Sequence, residues 1–104
     1  MTEKQKMKQS LRRSKKWKEL RHQKNVEQKG LDPITQKKLS KTANLHHKNL
    51  NDEDYCKLDN PDDFVLLNAK THEAIHWIFT YWKKDKNVIS RIENLLIEME
   101  AYEK

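Results

Sequence analysis

Cysteine, glycine and proline are nearly absent from this chain of 104 residues. Cys56 is the single cysteine, so no disulfide can form within the chain, and we interpret it as incidental. No apolar run approaches the ~20 residues of a membrane span, and the basic N-terminus lacks the apolar stretch of a signal peptide. These absences predict a soluble protein of a reducing compartment, the cytoplasm.

Apolar residues are also scarce, at 35% of the chain against 37% charged residues. The length suits one small domain with extensions, and its core must be modest. Small cores usually need support from a metal, disulfides or a partner. With disulfides excluded, a metal or a partner is expected.

Positive charge is abundant, and it is concentrated at one end of the chain. The formal net charge is +6, and the densest run of Lys and Arg precedes Gly30. Such a cluster favours a polyanion, most often nucleic acid, although a solubilising tail is the alternative. The predicted contacts to a nucleic-acid phosphate backbone are Arg12, Arg13, Lys15, Lys16, Lys18, Arg21 and Lys48.

Residues 1–30 are predicted to form a basic helical extension, because nothing between residues 3 and 28 breaks a helix. Trp17 and Leu20 would rest on the domain while the opposite side faces phosphates. His22, which belongs to no cluster, is interpreted as a surface residue. Gly30 and the pair Asp32-Pro33 end this segment.

The middle of the chain predicts strand, loop, strand and helix. Residues 42–47 form a candidate strand, 48–60 a polar loop, and 64–67 a short buried strand that follows a turn. A helix capped by Asn68 or Thr71 would run to about Trp82. Its inward residues would include Ile75, Ile78 and Phe79.

Residues 83–104 predict a separate amphipathic helix begun by Asp85 or Asn87. Its apolar positions recur at helical spacing: Val88, Ile89, Ile92, Leu95, Leu96, Met99 and Tyr102. We expect this stripe to pack on the domain, and the alternative is a homodimer interface.

Four of the five histidines form two pairs around these strands. His46 and His47 end the first strand, and His72 and His76 share one face of the following helix. Helical histidines at this spacing can ligate one ion, and a histidine can also deprotonate water. Together they suit cleavage of a phosphodiester, which needs an activated water and compensation of charge on the leaving oxygen.

With its Asn44-Leu45-His46-His47-Lys48, Asn60-Pro61-Asp62-Asp63-Phe64 and Thr71-His72-Glu73-Ala74-Ile75-His76 segments, the chain resembles the HNH endonucleases, whose fold is called ββα-metal. The resemblance covers residues 31–77. It implies an α+β protein with a nuclease core over residues 31–82, flanked by the two helical segments. Members this small are often encoded by phages, which would place the protein in a host cytoplasm.

The resemblance also implies roles for individual residues. His46, His72 and His76 match metal ligands, and His47 matches the general base. Asp63 stands where the family usually has an asparagine that helps orient the base, and a carboxylate can accept the imidazole N–H bond.

A second departure from the family concerns its zinc-binding cysteines. By position these would fall at Asp32, Thr35, Asn68 and Thr71, and none is cysteine here. Since structural zinc supplies folding energy, the flanking helices are expected to replace it.

The expected function is therefore a metal-dependent DNA endonuclease or nickase. One divalent ion (zinc, nickel, manganese or magnesium) would act as Lewis acid and His47 as base. The alternatives are a catalytically inactive nucleic-acid-binding protein of the same fold and a helix-mediated protein-interaction module.

Overall fold

The structure is a computed structural model that describes residues 2–48, 58 and 60–103. These residues form a mixed fold, compatible with the α+β class, with four α-helices and one two-stranded antiparallel sheet. In chain order the elements are α1 (Glu3–Arg13), α2 (Lys15–Glu27), β1 (Asn44–His47), β2 (Phe64–Leu67), α3 (Ala69–Trp82) and α4 (Val88–Glu100).

The basic N-terminal segment forms two helices, so the prediction of one uninterrupted helix was wrong at Ser14. The Ser14 backbone is extended, with φ −69° and ψ 152°, and its hydroxyl accepts a hydrogen bond from the Trp17 amide. The same hydroxyl donates to the Leu11 carbonyl at 2.6 Å. Serine is a favoured N-cap because its side chain satisfies a helix-end amide, and here it both ends α1 and begins α2.

Gln28, which caps the C-terminus of α2, ties that helix to the sheet. Its side-chain amide donates to the Leu66 carbonyl at 3.0 Å and accepts from the Leu66 amide at 2.8 Å. After it, Lys29 and Gly30 adopt positive φ angles of 56° and 71° and turn the chain away. The left-handed conformation suits glycine, which explains the end of the segment near Gly30.

The hairpin forms where the sequence predicted strands. β2 matches its predicted bounds, while β1 begins later than predicted because Ala43 closes a turn onto the Ser40 carbonyl. His46 pairs across the sheet with Val65, and His47 with Phe64. Side chains alternate along a strand, so His46 and His47 lie on opposite faces.

The core lies between α2 and the inner face of the hairpin. Its buried apolar side chains are Trp17, Leu20, Leu39, Ala43, Leu45, Leu58, Phe64 and Leu66. Phe64 is fully buried and meets the Trp17 ring edge-on at 6.3 Å between centroids. Leu58 belongs to this core although it falls in the predicted polar loop. Most of that loop, including Cys56, lies outside the described residues.

The chain divides into two compact units, Met1–His72 and Glu73–Lys104, with the division inside α3. The three-part organisation that we predicted, with boundaries after residues 30 and 82, stays a prediction. α3 begins directly after Asn68, whose carbonyl accepts the His72 amide at 2.8 Å. In the described part of the chain, no helix is both long and apolar enough to cross a membrane.

The second unit carries α4, which begins where the sequence predicted. Asn87 occupies the N-cap position, and the Asp85 carboxylate accepts from the Asn87 amide at 3.0 Å and binds Arg91 at 2.6 Å. Val88 and Ile92 of the apolar stripe are half-buried, whereas Leu95, Leu96 and Met99 are exposed. Packing of the stripe on the domain or on a second subunit stays a prediction.

Candidate metal centre

Two of the histidines meet within the first unit. His46 projects from the outer face of β1, and His72 lies in the first turn of α3. Their rings are 5.2 Å apart between centroids and inclined by 70°. β2 leads into α3 through a single residue, Asn68, so the end of the hairpin and the start of the helix are held close together.

His76 completes a group of three. It follows His72 by four residues on α3, so the two side chains share one helical face. One ring nitrogen of each of His46, His72 and His76 can be chosen so that all three lie within 4.8 Å of one another. The predicted grouping of these histidines is confirmed.

The donor set fits a divalent transition metal. Zinc–imidazole bonds of about 2.0–2.1 Å place tetrahedral ligand nitrogens roughly 3.4 Å apart, so small side-chain rotations would close the triad around an ion. Three imidazoles suit zinc or nickel better than magnesium, which prefers oxygen ligands. All three rings are half-buried, which leaves room for water or substrate as a further ligand.

His47 lies in a different environment. It is only 6% exposed, and its ring stacks on Phe64 with centroids 4.5 Å apart and planes 8° from parallel. Its Nδ1 atom is buried. If His47 removes a proton from water, Nε2 must therefore be the accepting nitrogen, and its role as base stays a prediction.

Asp63 is held at the turn before β2. It closes a 3₁₀ turn, Pro61–Asp63, that is capped by the Asn60 side chain. Its carboxylate accepts from the side-chain amide of Asn60 at 3.5 Å, and its backbone carbonyl accepts from the backbone amide of Lys48 at 2.8 Å. Asp63 thus stands beside the strand end that carries His47, but its predicted role in orienting that ring stays a prediction.

The predicted phosphate-binding residues divide into two groups. Arg12, Arg13, Lys15, Lys16 and Lys18 have exposed side chains on α1 and α2. Arg21 instead donates from its guanidinium to the Ala43 and Lys41 carbonyls, and Lys48 Nζ donates to the Asp62 carbonyl at 2.9 Å. Both cationic side chains therefore donate hydrogen bonds to backbone carbonyls of the protein itself. The charge pattern alone did not predict these bonds.

Asp32 is a residue that sequence reasoning missed as an organiser of the site. It is fully buried, with Oδ1 accepting from the Ile34 amide at 2.8 Å and the Thr35 amide at 3.1 Å. Oδ2 accepts from the Asn68 amide at 3.0 Å, and the Thr71 side chain adds another bond. Burial raises the pKa of this carboxyl, but the hydrogen bonds outweigh it and leave the pKa below its ordinary value.

The turn after Asp32 was visible in the local sequence, and its partners Thr35, Asn68 and Thr71 are the positions at which the resemblance places the other three zinc-binding cysteines. An Asp-Pro pair is typical of a turn in which the aspartate accepts from amides two and three residues later. Nothing in the local pattern indicates that the second carboxylate oxygen reaches the start of α3.

Comparison of the chain with family models, with curated proteins and with solved structures found no match.

Proposed function

We propose that the protein is a metal-dependent nuclease of the ββα-metal class that hydrolyses DNA phosphodiesters. The observation that carries the proposal is the convergence of His46, His72 and His76. Three neutral nitrogen ligands from a strand and a helix leave part of an ion's coordination sphere for phosphate or water. When bound, a divalent ion would act as Lewis acid on the scissile phosphate.

The chain's own groups would bind and orient the substrate. Exposed cations on α1 and α2, principally Arg12, Arg13, Lys16 and Lys18, would contact the phosphate backbone. Such contacts carry little sequence information and weaken steeply with salt. Arg21 and Lys48 are assigned to holding the fold rather than to binding DNA.

His47 is proposed as the general base. It follows the ligand His46 at the end of β1, but its side chain lies on the opposite face of the strand, so the proposal requires the strand end to turn this ring towards the phosphate. Because the ring stacks on Phe64, its orientation is constrained by packing. Positioning of this kind is a large part of what a catalytic base requires.

The test is nicking of supercoiled plasmid by the purified chain, with each divalent ion added in turn after chelation. We expect metal-dependent nicking that His72→Ala and His47→Ala both abolish, with His72→Ala also losing metal. His22→Ala is the matched control, because His22 is an exposed histidine on α2. Binding of DNA without cleavage under every metal would exclude the nuclease.

A catalytically inactive nucleic-acid-binding protein is the second candidate. The observation that favours it is the burial of His47, since a base must exchange protons with water. In that case His47→Ala would lower stability by removing its contact with Phe64 and would leave DNA affinity unchanged. Nicking by the unmodified chain separates the two candidates, because His47→Ala is expected to bind DNA without nicking it in both cases.

A further inference from the structure

We propose that Asp32 is the positioning residue of the metal centre, because its carboxylate holds the start of α3 and thereby places His72 opposite His46. The proposal rests on the proposed histidine centre. It assigns a role in that centre to a residue that contacts neither ion nor substrate.

The carboxylate joins two segments that are distant in sequence. Oδ1 holds the turn over Ile34 and Thr35, while Oδ2 holds the amide of Asn68, immediately before α3. The side chain of Thr71 supplies a further hydrogen bond from the first turn of that helix. Burying a carboxylate is costly unless such bonds satisfy it, so Asp32 and its donors form one mutually dependent unit.

Covalent connection alone would not place His72. The link from β2 to α3 passes through one residue, Asn68, which fixes where the helix begins but not the rotation of its first turn. Bonds from Asp32 hold the residue before the helix, Asn68, and a residue of its first turn, Thr71. These two anchors restrain the rotation of that turn, and His72 follows immediately after the second.

The segment that holds α3 also leads into β1. The Asn68 side chain accepts from the Ser40 amide at 2.8 Å and donates to the Lys38 carbonyl at 3.1 Å. Ser40 in turn closes the turn that precedes β1, the strand that carries His46. The two ligand-bearing elements are therefore positioned against one stretch of backbone.

The test compares Asp32→Asn with a core variant, Leu20→Ala, which removes buried apolar contacts in α2. Cobalt(II) affinity is measured by absorbance titration at a temperature where each variant is folded by circular dichroism. We expect Asp32→Asn to weaken cobalt binding by about 10–100-fold, the range for residues that orient ligands, and Leu20→Ala to change it less than about twofold. Equal losses in the two variants would overturn the proposal.

Thr71 supplies a second pair of variants in case Asp32→Asn does not fold. Thr71→Val keeps the shape of the side chain but removes the hydroxyl, whereas Thr71→Ser retains it. We expect weaker cobalt binding in Thr71→Val and near-normal binding in Thr71→Ser, a rescue that general destabilisation would not produce. Equal affinities in both would contradict the positioning role.

A measurement without metal separates this proposal from the nuclease proposal. The nuclear Overhauser effect between the imidazole protons of His46 and His72 reports their proximity in the metal-free protein. Its loss in Asp32→Asn supports positioning, and its persistence at full intensity overturns it. If the unmodified protein binds no cobalt, the proposed metal centre is wrong. The nuclear Overhauser effect between His46 and His72 then still tests whether Asp32 positions His72.

Discussion

The two compact units differ in what their side chains bury. The first, Met1–His72, contains the described residues of the buried core as well as the buried carboxylate of Asp32. In the second, every described side chain is half-buried or exposed, including Trp77, Leu95 and Met99 at 56–58% exposure. Burial of apolar area is the main stabilising term in folding, so the first unit should dominate the stability of this chain.

Phe64→Ala should produce the largest loss of stability. Removing a fully buried aromatic ring that contacts Trp17 and His47 should lower the free energy of unfolding by about 3–5 kcal/mol. Leu95→Ala, in an exposed position of α4, should change it by less than about 0.5 kcal/mol. Urea unfolding followed by circular dichroism measures both. Similar losses in the two variants would show that the apolar stripe of α4 is buried when the protein is in solution.

Metal binding should be the next largest effect, and it tests whether stabilisation extends past His72. An ion at a hundred times its dissociation constant should add about 2.7 kcal/mol to the free energy of unfolding. Calorimetry should show this increase disappearing in His76→Ala and persisting in His22→Ala. Amide hydrogen exchange in α3 should slow on both sides of His72. Stabilisation that survives loss of His76 would remove it from the ligand set.

Gln28→Ala should have a smaller effect, because it removes the amide that satisfies both backbone groups of Leu66. The expected loss in the free energy of unfolding is about 1–3 kcal/mol. Arg91→Gln, which breaks an exposed ion pair in the second unit, should cost less than about 1 kcal/mol. Chemical denaturation of the two variants side by side tests the ordering, and a larger loss for Arg91→Gln would reverse the comparison.

The loss of stability at low pH should also differ between the two units. Hydrogen bonds hold the pKa of Asp32 below its ordinary value despite burial. The stability from the ionised form is thus fully present above the unfolded-state pKa of about 3.9 and is lost as pH falls through the lower folded-state pKa. The urea concentration at the unfolding midpoint of the unmodified protein should therefore decrease as the pH is lowered below about 3.9.

Asp85 provides the control for the acid measurement. The side-chain bond to Arg91 and the Asn87 amide lower its pKa as well, but it lies on an exposed turn. We expect Asp32→Asn to flatten the acid dependence of the urea midpoint and Asp85→Asn to leave most of it. The reverse result would place the acid-sensitive contact in the second unit.

Local sequence pattern predicted the elements that carry the site. The short apolar run of β2, the helical spacing of His72 and His76, and the start of α4 near Asn87 all appear in the structure. Each of these signals depends on neighbours within a turn or a strand, which is the range over which periodicity is informative.

The features that pattern did not predict depend on distant partners. The guanidinium of Arg21, a predicted phosphate contact, binds carbonyls some twenty residues later, which the charge pattern did not indicate. Asp32 looked like a turn residue, and its link to Asn68 has no periodic signature. The break at Ser14 is a local feature, but it was not predicted because the residues around it favour a helix. Ser14 begins the second helix through a hydrogen bond to its side chain, which helix propensity does not reveal.

The Gln28 amide has a consequence for self-association. A two-stranded sheet has two open edges, and unpaired backbone groups along an edge can recruit a strand from another molecule. By bonding both the amide and the carbonyl of Leu66, Gln28 occupies such groups on β2 as an added strand would. One side chain thus shields a strand whose apolar sequence would otherwise invite chain-to-chain pairing, and Gln28→Ala should aggregate sooner than its loss of stability alone would explain.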